Sequence, residues 1–187
     1  MSFEVAPTLD MSSPDAKRAS YDLLVAQVRA VLEGERDWLA NLAQFAALVH
    51  QSVPHLNWAG FYMARGQELV VGPFQGKVAC VRIPFTRGVC GACARSREIQ
   101  LVEDVHAFPG HIACESASRS ELVMVNAPHG DYVFYVATKN NKDQRWKPDN
   151  EAWVFARKVS ALLWHYYEPK SRWKPAEGSQ KFWDWGS

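Results

Sequence analysis

The sequence predicts an α+β domain in which helices from the two ends of the chain pack on one face of a central antiparallel sheet. Apolar residues recur at helical spacing near both ends, whereas the middle consists of short apolar runs separated by glycine and proline. Helices flanking a mainly antiparallel sheet are typical of this fold class. At 187 residues, 48% of them apolar, the chain is expected to form one domain with a sizeable core.

The first helix is expected to begin at Ser13 and Pro14, where a capping hydroxyl precedes a proline at the first helical position. Asp15 places an acidic group beside the positive end of the helix dipole. The helix is predicted to stop at Gly34. Its apolar stripe comprises Tyr21, Leu24, Val28, Val31 and Leu32.

A second amphipathic helix is predicted before Pro54. Its apolar stripe comprises Trp38, Leu42, Phe45 and Val49. Six strands follow from short apolar runs at 57–63, 68–71, 80–85, 98–102, 121–126 and 132–138. Turns are predicted at 72–73 and 109–110, and small residues predict a short helix at 88–97. A last helix is expected to begin near Pro148 and to carry Phe155, Val159, Leu162 and Tyr166.

Three segments are expected along the chain: a flexible N-terminus at 1–13, the domain at 14–167 and an aromatic-rich C-terminal tail at 168–187. The last six residues of the tail include Phe182, Trp183 and Trp185, which would be costly to leave in water. The tail is therefore expected to pack on its own domain or, alternatively, to form a subunit contact in a homodimer.

Charge and hydropathy narrow the class of partner. The 21 Lys and Arg residues balance 20 Asp and Glu, and neither sign forms a long run, so nothing favours a nucleic acid or an anionic membrane. No stretch approaches the ~18 apolar residues of a spanning helix. Residues 1–14 lack the basic flank and apolar run of a signal peptide. A soluble, cytoplasmic protein is expected.

The four cysteines, Cys80, Cys90, Cys93 and Cys114, are too few for a disulfide scaffold. Cys90 and Cys93 form a C-x-x-C pair, which is compatible with half of a zinc site or with a dithiol at a helix start. Cys80 and Cys114 are single and no H-x-x-x-H pair supplements them, which disfavours zinc, and no metal site is predicted. A further interpretation makes all four small buried residues. Cys114, however, lies in a long stretch without periodicity, where catalytic groups concentrate.

A series of motifs covers the middle of the chain: N-W-A-G-F-Y at 57–62, G-P-F-Q-G-K at 72–77, A-C-V-R-I at 79–83, G-V-C-G at 88–91, D-V-H at 104–106, F-P-G-H-I-A-C at 108–114 and S-R-S-E-L-V at 118–123. In order and spacing the series resembles the free methionine-(R)-sulfoxide reductases, a family of stand-alone GAF-fold enzymes. The resemblance extends over residues 20–165. It implies a GAF fold with a six-stranded antiparallel sheet and the N- and C-terminal helices on one face.

The resemblance implies an oxidoreductase that reduces free methionine-(R)-sulfoxide by thiol chemistry. Cys114 matches the cysteine that attacks the sulfoxide sulfur, Cys80 matches the cysteine that closes a disulfide with it, and Cys90 matches a third thiol that takes part in exchange. Cys93 has no counterpart in the pattern and is expected to be a small buried residue. A sulfenic acid formed on Cys114 would condense with a nearby thiol rather than reach irreversible oxidation states.

Substrate contacts are implied for residues of two strands. Trp58 and Tyr62 share one face of a strand, and Gly60 between them is expected to leave a gap. By resemblance, Trp58 lines the pocket for the methyl end of the substrate. Glu121 matches a carboxylate that contacts the polar part of the substrate. Without the resemblance, Glu121 would be interpreted as a solvated residue at the start of a strand.

Two basic residues near Cys114 complete the predicted site. His111 and Arg119 are expected among the substrate-binding residues. One or the other is also expected to raise the thiolate fraction of Cys114, whose ordinary pKa of ~8.5 leaves only a few per cent ionised at neutral pH. Further expectations come from the resemblance: no bound cofactor, reducing equivalents from a thioredoxin-like protein, and free methionine sulfoxide as the small-molecule partner.

One strand departs from the family pattern. Where family members usually read G-V-L-D-I-D-S, residues 134–140 read F-Y-V-A-T-K-N, so Ala137 and Lys139 replace two aspartates. Losing two negative charges and gaining a positive one changes the local balance for a zwitterionic substrate. The alternative function is therefore a GAF-fold small-molecule-binding or redox-sensing module with weak or no reductase turnover.

Overall fold

The computed structural model describes residues 8–112, 118–125, 132–138 and 155–159. The elements within these ranges are α1 (Pro14–Leu32), α2 (Trp38–Ser52), β1 (Leu56–Arg65), β2 (Glu68–Gly76), β3 (Arg82–Pro84), α3 (Gly88–Ser96), β4 (Gln100–Val102), a 3₁₀ turn (Val105–Ala107), β5 (Ser120–Val125) and β6 (Tyr132–Thr138). Residues 155–159 are also helical.

The six strands form one antiparallel sheet in the order β3-β2-β1-β6-β5-β4, which confirms the predicted α+β class. The larger core joins one face of this sheet to α1, α2 and the helical residues 155–159. α3 packs in a second core on the opposite face. The sheet therefore separates a structural face, covered by the terminal helices, from a face on which α3 lies over β4, β5 and β6.

The first helix begins where the sequence predicts. Ser13 Oγ accepts a hydrogen bond of 3.1 Å from the backbone N–H of Ala16, and Pro14 occupies the first helical position. Gly34 follows the helix with a φ of 80°, a left-handed conformation that glycine adopts without a Cβ clash. Ser13 before the helix and Gly34 after it therefore limit the extent of α1.

The second helix departs from its predicted stripe at one residue. Leu42, Phe45 and Val49 are buried as expected, but the Trp38 side chain is 42% exposed. Trp38 is the first residue of α2, directly after the capping Asp37. The next residue, Leu39, is also exposed, so the first turn of α2 lies outside the core and helical spacing alone overestimates the burial of Trp38.

The predicted turn at 72–73 is wrong, because β2 continues through it to Gly76. Gly60 pairs with Phe74 and Tyr62 pairs with Val71, so two residues of β2 oppose the single Phe61 of β1. This is a β-bulge, which tolerates the missing N–H of a proline inside a strand. The two edge strands, β3 and β4, are shorter than predicted at three residues each.

The packed region begins earlier than the expected bound at its N-terminal end. Leu9 and Met11 are buried in the larger core, so the packed region includes residues before the expected boundary at 14. At the other end Phe155 and Val159 are buried, and the Phe155 ring lies 4.9 Å from the Tyr21 ring between centroids. The start of this helix near Pro148, the residues Leu162 and Tyr166, and the tail at 168–187 lie outside the described residues.

Within the described ranges, no helix combines the length and the apolar character that crossing a membrane requires.

Candidate active site

The predicted site residues of three strands meet on the face that α3 covers. Strand register places Ala137 of β6 opposite Trp58 of β1 on one side and opposite Glu121 of β5 on the other. Residues paired in this way point to the same face of a sheet. Cys90 of α3 belongs to the same buried cluster as Trp58 and Ala137. The fold thus brings together three of the sequence-predicted site residues, Trp58, Cys90 and Glu121, around a methyl side chain.

Aromatic side chains form one wall of this site, with Trp58 at its centre. The Trp58 ring lies 5.1 Å from Phe74 and 5.7 Å from Tyr62 in stacked arrangements, and 5.0 Å from Tyr135 in a tilted one. Its indole N–H donates a 3.2 Å hydrogen bond to the backbone carbonyl of Lys77. These contacts hold a 1% exposed indole in one orientation.

The expected gap beside Gly60 is absent from this wall. A Cβ at residue 60 would lie 2.3 Å from the Cβ of Phe74, so the side chain of Phe74 fills the space that the glycine leaves. The glycine is required by the close approach of β2 at the bulge rather than by a pocket between Trp58 and Tyr62. The sequence shows the glycine but not which strand pairs with it.

Replacing Gly60 by alanine is expected to lower the free energy of unfolding by about 2 kcal/mol, since overpacking a tight core typically destabilises by 1–3 kcal/mol. The added methyl meets the Phe74 Cβ and also the Pro73 carbonyl oxygen at 2.7 Å. Urea unfolding measures the change. Gly72→Ala is the matched control, because its nearest atoms are 3.2 Å away on the flexible Met63 side chain. Equal stability of both variants would contradict the close packing at Gly60.

Glu121 is buried at 5% exposure, in contrast to the solvated edge residue that its position alone would suggest. The hydroxyl of Tyr135 donates a 2.9 Å hydrogen bond to Glu121 Oε1. Burial raises the pKa of Glu121 from 4.5 to about 7, against the lowering effect of the Tyr135 hydrogen bond. A carboxyl group with a pKa near 7 holds a proton in a substantial fraction of molecules at neutral pH and can donate it.

A chain of hydrogen bonds leads to Glu121 from β1. The side-chain amide of Asn57 donates a 3.0 Å bond to Ser118 Oγ, and Ser118 is hydrogen-bonded to the Tyr135 hydroxyl, which in turn donates to Glu121. All four side chains are buried. Sequence reasoning missed Asn57, Ser118 and Tyr135 as site residues. The available signal was Tyr135, a tyrosine that shares its strand face with Ala137 and stands where the resembled pattern has valine.

The three cysteines within the described ranges differ in oxidation state. Cys80 is disulfide-bonded, whereas Cys90 and Cys93 are buried free thiols. The Tyr62 hydroxyl donates a 3.1 Å hydrogen bond to the Cys80 carbonyl, and Cys90 is buried in the same cluster as Tyr62. Burial, with Glu121 as the next cause, raises the pKa of Cys90 well above its ordinary value. Cys90 therefore stays a thiol near neutral pH.

Cys93 is the small buried residue that the sequence predicts. Its side chain is fully buried, and its Sγ lies 3.6 Å from the backbone carbonyl oxygen of Val123, to which the thiol donates. Burial raises its pKa to about 12. Among the residues with described positions, no group of three or more His, Cys, Asp or Glu side chains could hold a metal ion.

Cys114 lies outside the described residues, but two predicted neighbours are described. His111 is half-buried, and burial, followed by the proximity of His106, lowers its pKa. At neutral pH its ring is therefore mostly uncharged, and it offers a proton acceptor rather than a positive charge. Arg119 precedes β5, and its side chain is exposed.

Comparison with known proteins identifies relatives along most of the chain. Over 108 residues, 58% of this chain and 66% of the relative, it is 49% identical to the free methionine-R-sulfoxide reductase of Escherichia coli. The structure of the Neisseria meningitidis free methionine-R-sulfoxide reductase in complex with its substrate is 34% identical, with a TM-score of 0.76 over 88% of this chain and 96% of that one. A solved GAF domain, 29% identical, gives a TM-score of 0.73 over 87% of this chain and 93% of that domain. No family model matches the chain.

Proposed function

The chain belongs to the free methionine-R-sulfoxide reductase family of GAF-fold proteins, and we propose that it reduces free methionine-(R)-sulfoxide to methionine. The observation that carries the proposal is the buried Glu121 carboxyl beside the Trp58 wall, on the sheet face where Cys80, Cys90 and Cys93 also lie. Sulfoxide reduction needs a proton for the oxygen and a thiol for the sulfur, and this face supplies both types of group.

The proposed chemistry begins with Cys114. Its thiolate attacks the sulfoxide sulfur while a proton is delivered to the sulfoxide oxygen, and Glu121 is the proposed donor. In net terms the oxygen passes to Cys114, which becomes a sulfenic acid, and methionine leaves. The Cys80 thiol then attacks this sulfenic acid, water is released and a Cys80–Cys114 disulfide forms.

The disulfide on Cys80 supports this pairing. Cys90 and Cys93 are free thiols, and the sequence contains one other cysteine, Cys114. The proposed resolving partner of Cys80 is therefore Cys114. Cys90, whose thiol lies near Tyr62 and Glu121, is the proposed third thiol that exchanges with this disulfide.

Substrate recognition is assigned to the two sides of the site. Trp58 and Tyr62 provide the apolar surface for the methyl end of the substrate, and Glu121 provides the contact with its polar part. His111, largely neutral, is the proposed proton acceptor for the Cys114 thiol, and Arg119 is the proposed cation for the substrate carboxylate.

Recycling of the disulfide requires an external dithiol, because each turnover consumes two thiols of the protein. We propose a thioredoxin-like protein as that reductant, no bound cofactor, and a cytoplasmic location in which thiols are kept reduced. A homodimer contact through the aromatic residues of the 168–187 tail remains a proposal of the same kind.

A second candidate function is supported by Ala137. The methyl group of this residue lies between Trp58 and Glu121, where the resembled pattern has an aspartate. The site therefore has one buried carboxylate among the described residues facing α3, which is compatible with a binding or redox-sensing module of low turnover.

The experiment that separates the two functions couples methionine sulfoxide reduction to NADPH consumption through thioredoxin and thioredoxin reductase. The R and S epimers of free methionine sulfoxide are offered separately, with a peptide-bound sulfoxide as the third substrate. Steady consumption with the free R epimer alone is expected. Saturable binding of the R epimer without consumption would favour the binding module, and turnover of the peptide substrate would contradict the proposed specificity.

Replacing Cys80 by serine is expected to stop recycling without stopping the first reduction, because resolution follows the attack by Cys114. Without reductant, the variant should release about one methionine per chain, and steady-state turnover should fall at least about tenfold, with Cys90 giving partial rescue. Quantifying methionine against enzyme in a rapid-quench experiment measures this. Cys93→Ser is the control, since the serine hydroxyl can still donate to the Val123 carbonyl. Turnover of Cys80→Ser at the parent rate would exclude Cys80 as the main resolving thiol.

A further inference from the structure

We propose that Tyr135 is a positioning residue of the active site: its hydroxyl fixes the orientation of the Glu121 carboxyl group and supplies the polar contact that Ala137 cannot make. The inference rests on the proposed role of Glu121 in sulfoxide reduction. It concerns a side chain that none of the sequence motifs singles out. Tyr135 lies on β6 and is 7% exposed.

Strand register explains how Tyr135 reaches Glu121. On β5 and β6, Val123 is opposite Tyr135 and Glu121 is opposite Ala137, so Tyr135 and Glu121 are diagonal neighbours on one face. Diagonal neighbours are ~7–8 Å apart at the backbone, a distance that a tyrosine can bridge. The methyl side chain of Ala137 leaves room for the phenol ring to extend towards Glu121, and the 2.9 Å hydrogen bond completes the span.

The direction of the hydrogen-bond chain fixes which oxygen of Glu121 is occupied. Asn57 donates to Ser118 Oγ, and Tyr135 uses its single hydroxyl hydrogen in the bond to Glu121, so Ser118 is the donor in its bond to the Tyr135 oxygen. The Tyr135 hydrogen therefore points to Glu121 Oε1. A proton carried by the carboxyl group is then held on Oε2, which becomes the oxygen that can pass it to a substrate.

Within the described part of the chain, the other titratable groups that interact with Glu121 are neutral near pH 7. Tyr62 from β1, Cys90 from α3 and Tyr135 from β6 all have pKa values raised by burial, with Glu121 as a further cause. Their protonated forms persist near pH 7, so Glu121 is the group of this cluster that changes charge there. Tyr135, which donates to it directly, is the side chain with the most specific influence on its ionisation.

Tyr135→Phe tests this assignment, because it removes the hydroxyl and keeps the ring. The Tyr135 hydrogen bond lowers the pKa of Glu121, so its loss should raise that pKa. If protonated Glu121 is the acid, the falling limb of kcat/KM at high pH should move to higher pH. Since orientation is also lost, kcat at pH 6 should fall about tenfold, with a smaller change in KM. An unchanged pH profile with unchanged kcat would overturn the inference.

Direct titration of Glu121 separates this inference from the proposed function. The side-chain carbonyl carbon, followed by ¹³C NMR in the protein without substrate, reports ionisation even if the chain has no reductase activity. The pKa of Glu121 should rise in Tyr135→Phe and stay unchanged in Tyr132→Phe, which removes the hydroxyl of another buried tyrosine on the opposite face of β6. Equal titration curves in the parent and Tyr135→Phe would overturn the positioning role whatever the activity assay shows.

A double-mutant cycle tests whether Tyr135 compensates for Ala137. Ala137→Asp alone should lower kcat/KM, because it places a second carboxylate opposite Glu121 in space that the Tyr135 side chain uses. Tyr135→Val alone should lower it as well, because the hydrogen bond to Glu121 is lost. If the two residues compensate for each other, kcat/KM of the double variant should be at least about fivefold higher than the value expected from two independent losses. Additive losses would show that the two positions do not compensate for each other.

Discussion

Replacing Cys114 by serine is expected to abolish reduction of free methionine-(R)-sulfoxide, with kcat/KM falling more than about a thousandfold. A serine hydroxyl is hardly ionised near pH 7 and is a poor nucleophile towards sulfoxide sulfur, whereas a thiolate is a strong one. None of the three cysteines within the described ranges can replace Cys114 readily. Cys90 and Cys93 are buried with raised pKa values, and Cys80 is expected to act only after a sulfenic acid has formed.

Two measurements check this result. The thioredoxin-coupled assay gives kcat/KM, and thiol titration after one equivalent of substrate, without reductant, gives the number of thiols lost. The parent should lose two thiols per methionine formed, and Cys114→Ser should lose none. Cys93→Ser, which also removes one thiol from the chain, should behave like the parent. Turnover at the parent rate in Cys114→Ser would remove Cys114 from the mechanism.

Local sequence signals predicted the elements whose boundaries depend on local chemistry. The Ser13 and Pro14 start of α1 is confirmed, because a capping hydroxyl and a proline act within one helical turn. The bounds of β6 are those predicted from its apolar run, because both faces of this central strand are buried. The turn predicted at Gly72 and Pro73 failed because a bulge, created by pairing with a distant strand, also accommodates these residues.

The residues of the candidate site were predicted from motifs, but their contacts across strands were not. Motif resemblance singled out Trp58, Cys90 and Glu121, and the fold brings them to one face. The partner of Glu121 could not be predicted, because a hydrogen bond between diagonal neighbours depends on the register of β5 against β6. The same register decides that Phe74, rather than an open pocket, lies against Gly60. Alternation within a strand gives the face of a side chain but not its neighbours across strands.

Replacing Glu121 by glutamine is expected to lower kcat/KM about a hundredfold, because general acid catalysis contributes about 10²–10⁴-fold. Glutamine keeps the size of the side chain, and its amide oxygen still accepts from the Tyr135 hydroxyl, but it has no acidic proton for the sulfoxide oxygen. In the parent, activity should fall as pH rises through about 7, where Glu121 loses its proton. The variant should lack this falling limb, which a pH profile of kcat/KM measures.

The same substitution should stabilise the protein at alkaline pH. The folded-state pKa of Glu121 is about 7, above its ordinary value of 4.5, so folding favours the protonated form and the parent loses stability as pH rises between these values. Below pH 4.5 the carboxyl is neutral in both states, and glutamine should change the free energy of unfolding little. Above pH 7 the parent must bury a charge that glutamine lacks, so the midpoint of urea unfolding should be higher in the variant. If Glu121→Gln is less active but has the same unfolding midpoint as the parent at both pH 5 and pH 8, the raised pKa of a buried Glu121 is contradicted. A variant with parent activity and a raised midpoint would instead limit Glu121 to a binding role.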